Sequence, residues 1–156
     1  MLANADGSIL VGTWKEGLFR VSNDGFAKLL IPPVPGNGMN FIHKLYGDSR
    51  YVLVGSDDGL VQYDRMTNQW RMLSEVENPA RRTAERFVYG IMRDREDGLW
   101  IGTYYGGVNY IPSSSMRNRF DMYFPTLGGL QGSVVSRFAE DARHRIWIAT
   151  DDAGLD

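Results

Sequence analysis

The sequence contains no cysteine, only two histidines and no long hydrophobic run. The lack of cysteine excludes disulfides, thiolate metal sites and cysteine nucleophiles. His43 and His144 are too few for a histidine-rich metal centre, and we expect no metal and no other cofactor. No apolar run approaches the roughly 18 residues that span a bilayer, so we expect no membrane insertion by this segment.

The chain also lacks an excess of charge of either sign. It carries 17 Lys and Arg against 19 Asp and Glu, a net charge of −2. A protein that binds the nucleic-acid backbone needs a basic surplus, so we expect no nucleic-acid partner. The 156 residues, 43% of them hydrophobic, are of globular composition and long enough to bury a core.

The chain contains 18 glycines and 6 prolines, which interrupt it too often for long helices to form. Short runs rich in Val, Ile, Leu, Tyr and Trp lie between them, at residues 9–13, 51–55, 99–103 and 146–150. Such runs flanked by turn residues predict strands, and the fold class is therefore all-β.

Four similar segments form an internal repeat, at residues 6–21, 48–64, 94–111 and 141–156. The small residues Gly12, Gly55, Gly102 and Ala149 mark the same position in each copy, at intervals of 43, 47 and 47 residues. A period of 40–50 residues with about four strands per copy is typical of the blades of a β-propeller.

Each copy predicts the same local structure. An Asp-led turn, whose carboxylate accepts backbone N–H groups, precedes a second strand with one large residue, Trp100 or Trp147. Because Leu10 and Leu53 stand there in the other copies, we expect the position to require bulk rather than an indole N–H. The small residue beside it should let two sheets approach closely, and a glycine of positive φ should begin the third strand.

The third copy, DREDGLWIGTYYGGVNY at residues 94–110, resembles the two-component regulator propeller repeat. The fourth copy departs from the pattern, with Ala149 for glycine and His144-Arg145 in the turn. The resemblance implies the periplasmic sensor region of a hybrid histidine kinase, which binds a glycan-derived oligosaccharide and signals through the parent protein. The chain itself would then be a binding module and no enzyme.

The repeat period predicts about three and a half four-stranded blades, an incomplete propeller. The blades would be residues 1–38, 39–86, 87–133 and 134–156, with the first lacking its first strand and the last incomplete. Neighbouring blades of the parent protein would cover both ends. For the chain alone we expect either self-association, such as a dimer, or poor solubility with fraying at residues 1–12 and 150–156, because uncovered sheet ends expose apolar surface.

Ligands of propellers usually contact the loops that join second to third strands. The residues in these loops are Trp14, Lys15, Glu16, Asp57, Asp58, Tyr104, Tyr105, Asp151 and Asp152. Aromatic rings beside charged groups suit a sugar, whose C–H faces stack on rings and whose hydroxyls bond to charges. The alternative is that these are ordinary turn residues.

Other candidates are weaker. Arg81 and Arg82, in the charged segment 74–86, could face an acidic sugar or lie on a solvated turn. His43 is expected in a first strand, packed or bonded in its sheet, and His144 in a solvated turn at the opposite end. An alternative function is that of a streptogramin-lyase-like enzyme, whose catalytic histidine would need to lie by the ligand loops, where neither histidine is expected. A third is a purely structural or dimerisation module.

Overall fold

The computed structural model describes residues 1–33, 41–73, 87–113 and 129–156, and the backbone of 121–123. Within these residues the chain forms strands and turns and no α-helix. The strands make four antiparallel sheets, which confirms the predicted all-β fold. The chain divides into two compact units, Met1–Pro79 and Ala80–Asp156. Arg81 and Arg82 lie outside the described residues.

The first unit contains two four-stranded sheets. Sheet 1 consists of β1 (Leu2–Ala3), β2 (Ile9–Gly12), β3 (Leu18–Val21) and β4 (Ala27–Ile31). Sheet 2 consists of β5 (Ile42–Gly47), β6 (Tyr51–Ser56), β7 (Gly59–Asp64) and β8 (Gln69–Met72). The prediction that the first blade lacks its first strand is wrong, because Leu2 and Ala3 suffice to pair with Leu10 and Ile9.

The second unit contains sheets 3 and 4. Sheet 3 consists of β9 (Val88–Arg93), β10 (Leu99–Thr103), β11 (Val108–Ile111) and β12 (Asp121–Tyr123). Sheet 4 consists of β13 (Val135–Glu140), β14 (Ile146–Thr150) and β15 (Gly154–Leu155). Each sheet is a meander in which consecutive strands are neighbours, so every loop within a sheet joins two adjacent strands.

Each unit has its core between its two sheets. In the first unit the core includes Leu10, Leu18, Ile42, Val52, Val54 and Val61. In the second it includes Val108, Leu130, Val135 and Ile148, with Trp100 and Phe138 packed against them. The fourth strands β4 and β8 lie at the outer edges and are largely exposed.

The small residue of the repeat allows the close approach of sheets that the sequence predicts. A Cβ placed on Gly102 would lie 2.5 Å from Val135 Cγ1 of sheet 4. A Cβ on Gly12 would overlap the side chain of Ile42 in sheet 2. A side chain at either position would therefore push two sheets apart.

The Asp-led turns form as expected. Asp94 Oδ1 accepts the N–H groups of Glu96 and Gly98, at 3.0 and 2.7 Å. In the last copy Asp141 Oδ1 accepts those of Arg143 and Arg145. The predicted backbone role of this aspartate is confirmed.

The second oxygen of these aspartates has a role that the sequence analysis missed. Asp94 Oδ2 accepts the indole N–H of Trp100 at 2.7 Å, and Asp141 Oδ2 accepts that of Trp147 at 3.0 Å. The expectation that this position requires only bulk is therefore wrong. A tryptophan here joins its strand to the preceding turn, whereas Leu10 and Leu53 are simply buried.

Hydrogen bonding shifts the titration of Asp141. Desolvation raises its pKa, but hydrogen bonds from the Arg145 backbone, the Trp147 indole and the Arg145 guanidinium outweigh this effect. The pKa of Asp141 consequently lies well below its usual range. Stability that depends on its charge is present above the ordinary carboxyl pKa and is lost as the pH falls below it.

Candidate functional site

The loops that join second to third strands, here called the rim loops, have a common base. The residue that ends or follows the second strand carries a hydroxyl, which donates to the carbonyl of a glycine across the loop. The four pairs are Thr13–Gly17 at 2.8 Å, Ser56–Gly59 at 3.1 Å, Thr103–Gly107 at 3.1 Å and Thr150–Gly154 at 3.2 Å. These glycines all have positive φ, as predicted, so the repeat fixes the backbone of every rim loop in the same way.

In the first unit, the rim loop of sheet 1 presents Trp14. Its side chain is 69% exposed and packs at a steep angle on Phe41, with 6.3 Å between ring centroids. Lys15 and Glu16 beside it are exposed. Because the Phe41 ring packs against it, the exposed indole of Trp14 is held in place and offers a surface on which a ligand can stack.

The rim loop of sheet 2 holds Asp57 and Asp58, both half-buried. Asp57 Oδ1 lies 2.5 Å from Nε2 of His43, whose side chain is only 11% exposed. His43 is in the first strand β5, as expected, but at the end of it that adjoins the rim loop. The expectation that no histidine lies by these loops is therefore wrong.

In the second unit, the rim loop of sheet 3 carries a cluster of tyrosines. Tyr104 packs on Tyr89 of β9 with 5.3 Å between ring centroids, and Tyr105 stands perpendicular to Tyr104 at 4.5 Å. Tyr105 is 58% exposed. Two half-buried rings thus support a third in solvent.

The two aspartates of the last rim loop differ in their surroundings. Asp151 is exposed and donates its backbone N–H to the carbonyl of Val134. The Asp152 carboxylate instead accepts the backbone N–H and the hydroxyl of Ser133 and the N–H of Val134. The bonds from Ser133, backbone first, hold the pKa of Asp152 below its usual value. Both aspartates are exposed, but only Asp152 fixes the segment before β13 through its side chain.

At the opposite end of the second unit lies a cleft of about 200 Å³. Trp100, Tyr110 and Ile146 line it together with acidic side chains and His144. His144 is exposed, as expected, and its Nδ1 lies 3.1 Å from Glu140 Oε1. Glu140 also accepts the backbone N–H of Arg95. The polar groups of this cleft thus stabilise turns within the unit.

Residues that the sequence analysis did not assign complete the rim. Phe41 supports Trp14, Tyr89 supports Tyr104, and Ser133 holds Asp152. His43 and Tyr89 are 46 residues apart, close to the repeat period, and this spacing is the signal that could have found them. In the parts of the chain with described coordinates, no three His, Asp or Glu side chains converge in a way that could hold a metal ion.

Residues 84–105 and 129–152 match the family described as two component regulator propeller. Each segment therefore resembles one repeat of that family. They fall on the first and second strands and the rim loops of sheets 3 and 4, which confirms the resemblance. No curated protein matches the sequence.

Solved structures share the fold of these propeller repeats. The extracellular domains of two B. thetaiotaomicron proteins described as hybrid two component systems are 23% and 21% identical, with TM-scores of 0.76 and 0.74. They match 98% and 96% of this chain, which spans only 20% and 18% of their length. Virginiamycin B lyase from Staphylococcus aureus is 12% identical over 99% of this chain and 52% of its own, with a TM-score of 0.65. At these identities the likeness shows the fold alone.

Within the described residues there is no helical stretch with the length and hydropathy that a bilayer crossing requires.

Proposed function

We propose that the chain is part of the extracytoplasmic sensor propeller of a two-component system, and that its rim loops bind a glycan-derived oligosaccharide. The signalling role is supported by the two propeller repeats and by the fold shared with extracellular domains of hybrid two component systems. The parent protein would be a histidine kinase in the inner membrane, with this segment in the periplasm. The chain would bind the ligand and catalyse no reaction.

The observation that supports the ligand class is an exposed aromatic ring, held by a second ring, on a rim loop of each unit. Trp14 and Tyr105 are 69% and 58% exposed, yet each is packed on a second ring, Phe41 or Tyr104. The apolar faces of sugar rings stack on such aromatics, and side chains already held in place lose little entropy on binding. Lys15, Glu16 and Asp151 add exposed charges that can bond to hydroxyl groups.

Calorimetry with a panel of neutral and uronic-acid-containing oligosaccharides, of two to six sugars, tests the ligand class. For a sugar that binds, Trp14→Ala or Tyr105→Ala should weaken affinity about fivefold or more, as expected for an aromatic contact. The matched control is Phe26→Ala, because Phe26 is also 69% exposed but lies in the turn between β3 and β4, at the other end of sheet 1. Equal losses in all three variants, or no binding to any sugar, would contradict the ligand class.

The gene around the coding segment tests the signalling role separately. We expect it to encode further propeller repeats, a membrane-spanning helix and a histidine kinase. A gene that encodes an elimination enzyme instead would favour the lyase alternative, which rests only on a shared fold.

A further inference from the structure

Sheets 2, 3 and 4 share one irregularity within the described part of the chain. In sheet 2, Ile42 pairs with Ser56 and Lys44 with Gly55, so His43 is the extra residue of a β-bulge. The equivalent extra residue is Tyr89 in sheet 3 and Ser136 in sheet 4. The three bulged positions are 46 and 47 residues apart, which is the spacing of the repeat.

Each bulged side chain contacts the rim loop of its own sheet or the strand end that leads into it. His43 Nε2 meets Asp57 Oδ1 at 2.5 Å, and the Tyr89 ring packs on that of Tyr104 at 5.3 Å. Ser136 Oγ donates to the carbonyl of Ala149 at 3.3 Å, one residue before the end of β14. A bulge turns a side chain out of the regular alternation of a strand, and here it directs each one toward the rim.

The bulged position differs from the base of the loop in its chemistry. The base has the same hydroxyl-to-glycine bond in every sheet, whereas the bulge carries an imidazole, a phenol ring or a hydroxymethyl group. The backbone of each loop is thus fixed by a constant feature. The placement of the loop side chains is left to a residue that changes from copy to copy.

We propose that the bulged residues of β5 and β9, His43 and Tyr89, are the positioning residues of the rim loops in sheets 2 and 3. His43 fixes the carboxylate of Asp57, and Tyr89 fixes Tyr104 and, through it, the exposed ring of Tyr105. The bulged residues therefore determine which groups the rim offers to a ligand, and this part of the inference rests on the proposed glycan-binding function.

Hydrogen exchange of the full chain tests the positioning role without a ligand. In His43→Leu, the amides of residues 57–59 should exchange about tenfold faster, the change expected on losing a hydrogen bond to a charged group. Amides of β6 should keep their protection. His43→Gln, whose side-chain amide can still donate to Asp57, should restore slow exchange. The matched control is His144→Leu, which removes a histidine–carboxylate pair from the opposite end of a sheet. Unchanged exchange at 57–59 in His43→Leu would overturn the proposal.

Binding of the same oligosaccharide panel then tests the link to ligand choice. For a sugar that binds, His43→Leu should weaken affinity about tenfold, His43→Gln should recover most of it, and His144→Leu should have no effect. Equal affinity in His43→Leu and the original chain would overturn the link. If no sugar binds the original chain, the glycan hypothesis fails, while the exchange result still decides whether His43 positions the loop.

Discussion

The hydrogen bond between Trp100 and Asp94 should stabilise the fold, and a double-mutant cycle can measure its contribution to the free energy of unfolding. Trp100→Phe keeps an aromatic ring but removes the N–H that meets Asp94 Oδ2 at 2.7 Å. Asp94→Asn removes the acceptor, while its remaining oxygen can still accept the turn amides that Oδ1 accepts now. Both changes delete the same hydrogen bond, so their effects should overlap.

The expected size follows from the geometry. A hydrogen bond to a charged group contributes about 1.5–3 kcal/mol, and we take the lower end because Trp100 is only half-buried. Trp100→Phe also loses part of the contact with Tyr110, whose ring centroid is 4.5 Å away, for about another 0.5 kcal/mol. We expect the free energy of unfolding to fall by about 2 kcal/mol in Trp100→Phe, by about 1.5 kcal/mol in Asp94→Asn and by about 2 kcal/mol in the double variant.

Equilibrium urea unfolding followed by circular dichroism measures these differences. With a slope of about 2 kcal/mol/M, a loss of 2 kcal/mol lowers the midpoint by about 1 M. Trp70→Phe is the control, since Trp70 lies on the outer strand β8 and is 38% exposed, and it should cost less than about 0.5 kcal/mol. Additive losses in the double variant, or a neutral Trp100→Phe, would show that the indole N–H does not stabilise the turn.

Three further predictions concern other parts of the second unit. Gly102→Ala should cost about 1–3 kcal/mol of unfolding free energy, because the new methyl group meets Val135, and an unchanged urea midpoint would refute this. Thr103→Val should cost about 1–3 kcal/mol and speed exchange of the Gly106 amide, which donates to the buried Thr103 hydroxyl, whereas Thr103→Ser should retain most of the stability. Asp141→Asn should reduce the loss of unfolding free energy between pH 4 and pH 2, because the low pKa of Asp141 makes that loss larger in the original chain. Parallel curves of unfolding free energy against pH for the two proteins would contradict the role of its charge.

Features that depend on local sequence were predictable. Strand β10 lies where the sequence analysis placed it, at residues 99–103, and the glycines that begin third strands have positive φ. Both follow from turn chemistry that acts over a few residues. The predicted role of Asp94 was confirmed for the same reason, because a turn aspartate meets its own backbone.

Features that depend on contacts between distant segments were not predictable in this way. The bond from Trp147 to Asp141 was missed because the Leu residues of other copies suggested that bulk alone mattered. The position of His43 by the rim was missed because a bulge shifts the register of a strand without any glycine or proline to mark it. The residues of the predicted ligand site lie on loops, as the sequence analysis placed them. That they bind a sugar stays a prediction.

The glycine near the end of the second strand in sheets 1, 2 and 3 has a mechanical consequence. At Gly102, the side chains of Val135 and Phe138 from sheet 4 pack directly on the backbone of sheet 3. Two facing layers of side chains could adjust to a small displacement by changing rotamers, but a backbone without a side chain cannot adjust in this way. Any tilt of sheet 4 within its unit must therefore move the backbone of sheet 3 with it, so that the two sheets respond to a force as one stiff body.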